Sequence, residues 1–229
     1  MRTIVRLWLT GVLTLCWTGI SLASEPHKLE SFKSAPPAGL SDKIAAQLDE
    51  NAYRVIGPNG PVLEIWLVKE VATREDFKPT LTVKYPFTSG QLLGAARLPT
   101  AGAALDFRGQ ELAAGVYTLR YGLQPQDGNH LGSSDTSDFG LACLATMDKD
   151  PAPVSKVPDL FKLSAKAAGS AHPAIFQMVP PPAAAYKAPV LKHNEDKDTW
   201  ILQTNFHAKS KDKVVDLPVQ IVTVGISEH

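Results

Sequence analysis

Residues 115–139 read Gly-Val-Tyr-Thr-Leu-Arg-Tyr-Gly-Leu-Gln-Pro-Gln-Asp-Gly-Asn-His-Leu-Gly-Ser-Ser-Asp-Thr-Ser-Asp-Phe, and the fold class is decided here. Tyr117, Leu119, Tyr121 and Leu123 fall on one face of an extended chain, and Val116, Thr118 and Arg120 on the other. A period of two is the signature of a strand, and no other stretch of the chain shows it as clearly. Residues 139–146 then return as a nearly continuous apolar run, which fits a central strand covered on both faces. The two segments are expected to be neighbours joined by the polar loop between them.

Working outward, further strand signals fall at 53–56 and 62–68, flanking the turn composition Gly57-Pro58-Asn59-Gly60-Pro61 of a hairpin. Others fall at 81–85, 91–98, 104–107, 174–179, 200–206 and 214–224, the last two joined across a Lys-rich turn. Two helices are expected. One begins at Ser41, whose hydroxyl can cap free N–H groups, with Ile44 and Leu48 on one face to about residue 50. The other begins at Pro158, carries a Leu160, Leu163, Ala167 stripe and stops at Gly169. Helices do not alternate with strands, so the expectation is a mainly β fold. Its form would be an antiparallel β-sandwich of jelly-roll or immunoglobulin-like type, with nine or ten strands and two short helical insertions.

The chain begins as an export signal does. Arg2 and Arg6 precede an apolar run from Leu7 to Ile20, and Ser21-Leu22-Ala23 places small residues where a signal peptidase cuts. The expected organisation is a signal peptide over 1–23, a flexible leader over 24–39 and a single domain over 40–229. Retention of the signal as an anchor is the alternative. Removing 23 residues from 229 leaves 206, and removing Arg2 and Arg6 leaves 21 basic against 23 acidic residues, a net charge of −2. That balance gives no electrostatic footprint for nucleic acid or anionic membrane. Cys16 leaves with the signal, so Cys143 is alone and no internal disulfide can form; its apolar neighbours Leu141 and Leu144 predict burial.

The polar loop carries the candidate site. As a twelve-residue calcium loop, 127–138 offers Asp127, Asn129, Asp135 and Asp138 as oxygen ligands at positions 1, 3, 9 and 12, with Gly132 at position 6 and His130 as a further ligand. It departs from the pattern at Leu131, which has no oxygen to offer, and in flanks that are strands. The competing reading is turn chemistry, in which Asp and Asn side chains bond their own backbone. His193 and His207 flank a strand and could meet across a hairpin, a donor pair suited to Cu or Zn. Ser133 or Ser134 with His130 and an Asp supplies the residue types of a hydrolase, but no Gly-x-Ser-x-Gly elbow is present. Trp66 and Trp200 are either a sugar-stacking platform or buried aromatics.

The segment Ala114-Gly-Val-Tyr-Thr-Leu-Arg-Tyr-Gly122, followed by Asp127-Gly-Asn-His130 and Ser134-Asp-Thr-Ser-Asp-Phe139, resembles uncharacterised exported proteins of environmental bacteria. The Ala-Gly-x-Tyr-x-Leu piece is more remotely similar to bacterial β-sandwich domains of unknown function. The resemblance implies a sandwich and no activity. Together these readings predict an exported binding or structural module of the cell envelope, with an envelope ligand or protein as partner and no transmembrane span after signal cleavage. A Ca or Cu/Zn module and an envelope or polysaccharide hydrolase are the alternatives.

Overall fold

A computed structural model describes residues 27–99, 104–125, 134, 136–210 and 213–227. Within them the chain is mainly β, with eleven strands and two helices. β1 (Lys28–Lys33), β2 (Leu48–Gly57), β3 (Gly60–Val68), β5 (Leu92–Leu98), β6 (Gly115–Leu123), β7 (Asp138–Leu144) and β8 (Ala174–Gln177) form a seven-stranded antiparallel sheet in that order. β10 (Thr199–Ser210) and β11 (Lys213–Val224) form a long antiparallel hairpin. The other edge of β10 is shared by β9 (Val190–Asn194), antiparallel, and β4 (Val71–Ala72), parallel. No described helix is long and apolar enough to cross a membrane.

One hydrophobic core joins the sheets. It holds Val55, Leu63, Ile65, Trp66, Tyr117 and Tyr121 of the larger sheet together with Leu202, Phe206, Val219 and Ile221 of the smaller. Phe87, in the connection between β4 and β5, is its hub. Its ring stacks on Tyr85 at 5.7 Å and meets Tyr121 and Phe206 edge-on at 5.4 and 5.5 Å, tying one sheet to the other.

The alternation in 115–123 is realised as expected. β6 and β7 are hydrogen-bonded neighbours with Gly122 opposite Phe139 and Arg120 opposite Leu141. Tyr117, Leu119 and Tyr121 enter the shared core. The opposite face of the pair carries Phe139, Leu141 and Cys143, which pack against a second cluster with Leu160, Phe161 and Leu163. Those three belong to α2 (Val157–Ala168), which starts with Pro158 in its first turn and stops at Gly169, in the left-handed region at φ 60°. Ser164 Oγ donates to Ala174 O and accepts from Ala174 N, fastening the helix to the start of β8.

Several expectations are corrected. Of the leader expected over 24–39, Lys28–Lys33 is not free: it pairs with β2 as an edge strand, from Lys28 opposite Ile56 to Lys33 opposite Asn51, while 24–26 lie outside the described residues. The first helix, α1 (Asp42–Ala45), is a single turn capped by Ser41, because Leu48 already begins β2. Residues 81–85 form no strand, and a side chain takes the place of a strand neighbour there. Lys84 N and Tyr85 N both donate to the Asp138 carboxylate. Around 104–107 only an isolated bridge forms, between Leu105 and Glu111. The expected signal, 1–23, lies outside the described residues.

Candidate functional site

The outer face of β6–β8 is covered by α2, but incompletely. Between the helix, the strand ends and the 106–109 turn lies a cavity of about 830 Å³. Phe107, Phe139, Leu141, Phe161 and Ile175 supply much of its wall. The elements place them by simple periodicity. Phe139 and Leu141 are two apart on β7, and Phe161 and Ala165 are four apart on α2, so each pair shares a face. Gly122 borders the cavity from β6 with no side chain, since a Cβ there would lie 2.5 Å from Leu141 Cδ1. Leu123, Gln124 and Pro125, where the polar loop leaves β6, line it as well.

Asp106 holds the far wall together. Fully buried, it accepts from Arg108 N, Gln110 N, Gln110 Nε2 and Ile175 N at 2.7 to 3.0 Å. Phe107 N in turn donates to Ile175 O at 2.8 Å. The turn thereby caps the free edge of β8 and carries Phe107 into the cavity.

Behind the cavity, on the same face of β6, Arg120 is completely buried beside Asp148. Its Nε and Nη2 donate to the two carboxylate oxygens at 2.6 and 2.7 Å. Nη1 donates to Gly90 O and Ala152 O, Nη2 also donates to Asp150 O, and Thr118 Oγ1 donates to Asp148. Every charge in this cluster is met by a fixed partner, so it pins residues 148–152 to the sheet and leaves no group free for chemistry.

Of the predicted metal ligands, Asp127, Asn129, His130 and Asp135 lie outside the described residues, as does Ser133. Asp138 opens β7 and is fully buried. Its Oδ2 accepts from Lys84 N at 2.7 Å, and its Oδ1 from Tyr85 N at 3.3 Å and Tyr121 Oη at 2.5 Å. Burial pushes this carboxyl above its ordinary range, while the Tyr121, Lys84 and Tyr85 donors pull it back. Ser134 Oγ accepts from Gln177 Nε2 at 2.5 Å and Thr136 N at 3.3 Å. Among the described residues no three His, Cys, Asp or Glu side chains converge as a metal set.

His193 and His207 do not meet. His193 lies across from Trp200 and stacks on it at 4.3 Å, whereas His207 pairs with Asp216 on β11, seven residues further along β10. His27 meets the same indole, its ring centroid 5.1 Å from that of Trp200. Burial lowers the His27 pKa; Asp198 opposes that shift and His193 adds to it. Trp200 is therefore flanked by imidazoles. Trp66 is buried and donates to Ser34 O, so the two tryptophans build no exposed platform.

Sequence reasoning found the strands and helix that make the cavity but not the cavity itself. A signal was available. Phe161 and Ala165 widen the apolar side of α2 beyond the Leu160, Leu163, Ala167 stripe, and Lys162 and Lys166 lie beside them. Comparison with protein families, with curated proteins and with solved structures finds no match for this chain, so its chemistry rests on these contacts.

Proposed function

We propose that this chain is an exported β-sandwich module that holds a small apolar molecule in the cavity under α2. The cavity carries the reading. At about 830 Å³ it falls within the size range of small-molecule sites, roughly 300–1,000 Å³. Much of its wall is aromatic and aliphatic, and buried, fully paired groups fix the 106–109 turn and the face of β6 behind it. Export is supported by the Arg2, Arg6 and Leu7–Ile20 pattern, and the sandwich by the core that two sheets share. The Arg120–Asp148 and Asp106 clusters are consumed by structure, which favours binding over catalysis at this site.

Titration with the neutral fluorophore N-phenylnaphthylamine tests the proposal. Saturable enhancement with one probe per chain is expected, and Ala165→Phe, which places a ring into the cavity from α2, should abolish it while leaving a cooperative melt. Unsaturable enhancement, or equal binding by the variant, would count against the cavity as the site.

A further inference from the structure

We propose that the molecule held under α2 is a single-chain amphiphile with an anionic head, its chain among the phenylalanines and its head between Arg108 and the lysines of α2; this rests on the binding reading above. Arg108, Lys162, Lys166 and His172 all line the cavity, and among the described residues no aspartate or glutamate does. The whole chain is balanced, 23 basic against 23 acidic residues, so a lining of one sign is a local property of this site.

The cations are also unspent. Several other cations of the fold are spent on carboxylates: Arg54 and Arg97 on Glu64, Arg120 on Asp148, Lys209 on Glu70. The Arg108, Lys162 and Lys166 side chains make no ion pair or hydrogen bond among the described residues. The acids closest in sequence do not quench them. Asp106 is turned inward onto four donors, and Asp159, three residues before Lys162, makes no ion pair with it. Lys162 and Lys166 stand four apart on one helix face, where like charges repel, and an anion between them relieves that repulsion. The C-terminal end of α2 carries about half a negative charge, which opposes an anion, but three full cations outweigh it.

A peptide fits less well. An extended peptide needs a free strand edge, and the edge at β8 is taken: Ile175 N donates to Asp106 and Ile175 O accepts from Phe107 N. What remains is a concave apolar volume with cations at its border, the complement of one acyl chain ending in a carboxylate or phosphate.

The test is displacement of N-phenylnaphthylamine by dodecanoate, dodecyl phosphate, dodecanol and dodecylammonium, all below micelle formation. The anions should bind about tenfold or more tighter than dodecanol, equivalent to about 1.4 kcal/mol. Their advantage should shrink with added salt. Lys162→Gln/Lys166→Gln and Arg108→Gln should each reduce it, with unchanged melts and unchanged dodecanol affinity. Preference for one of the two anions identifies the head and supports the proposal. Equal affinity for anion, alcohol and ammonium overturns it while leaving the apolar site standing. Absence of any probe binding removes both.

Discussion

Replacing Asp138 by alanine deletes the acceptor for three donors at once. Tyr85 N and Tyr121 Oη are buried, and Lys84 N is partly so. A buried donor left without a partner costs about 1–3 kcal/mol, so two such donors and a partly wetted third set the loss on the order of 3–6 kcal/mol. That is a large share of the roughly 5–15 kcal/mol by which domains are stable. Asp138→Asn keeps one oxygen, which can serve the Tyr85 and Tyr121 side, and turns an amide toward Lys84 N. Its cost should be that of one donor, about 1–3 kcal/mol. Urea unfolding followed by tryptophan fluorescence measures both, provided the slope is unchanged between variants. A loss below about 1 kcal/mol for the alanine variant would refute the structural role, because no buried donor would then have been orphaned. A second readout separates this role from a calcium ligand. A ligand set that included Asp138 would let Ca²⁺ raise the wild-type melting temperature and not that of Asp138→Asn.

Other expectations follow from the remaining buried groups. Arg120→Met strands the Asp148 carboxylate inside the fold and should cost about 3–5 kcal/mol, whereas Arg120→Met/Asp148→Leu should recover most of it; equal losses in the two variants would contradict the pairing. Cys143 is fully buried and its thiol is pushed up to about 12 by desolvation, so DTNB should react only after unfolding; rapid labelling of the native chain would contradict this. His27 is held below the ordinary imidazole value of 6.5, chiefly by burial. A base with a lowered folded pKa binds its proton in the unfolded chain first, so stability should be level above about pH 6.5 and fall as pH drops from there through the folded value. His27→Phe should flatten that part of the melting-temperature profile, and an unaltered profile would show that another group causes it.

The sequence was most legible where backbone and side chains ask for the same thing. β6 and β7 combine clear alternation with an apolar return, and α2 has proline at its start and glycine at its stop. The hairpin of β2 and β3 was legible from its turn, where Gly60 takes φ 112°. It was least legible where one side chain replaces a regular partner. Residues 81–85 have the composition of a strand, yet the Asp138 carboxylate, more than fifty residues away, takes the N–H groups of Lys84 and Tyr85. β1 was hidden for a different reason. Lys28–Lys33 is an exposed edge whose two half-buried side chains, Leu29 and Phe32, are three apart and point to opposite faces, so its pairing depends on the register of β2 rather than on its own pattern.

The polar site was legible in the same uneven way. Asp138 was picked out by spacing within the loop, but the donors that surround it come from β6 and from the 84–85 segment. Arg120 sat in the strand face beside Val116 and Thr118 with no local sign that Asp148 would meet it there. Charged residues that pair across the sheet do leave a pattern, visible only once register is known. Glu30, Arg54, Glu64 and Arg97 stand directly opposite one another across β1, β2, β3 and β5, an alternating row in which each neighbour is of opposite sign. Such cross-strand pairs contribute about 0.2–1 kcal/mol each and help fix the register on which the edge strand depends.

The central claim is that the space under α2 is a binding site, and the most direct measurement locates the bound molecule. Methyl-labelled protein titrated with N-phenylnaphthylamine, followed by carbon–proton correlation spectra, reports every leucine, isoleucine and valine at once. The account predicts saturating shifts at Leu123, Leu141 and Ile175, which line the cavity, with Val55 and Leu63 unmoved in the other core. Shifts confined to exposed Val214 and Val215, or none that saturate, would contradict it.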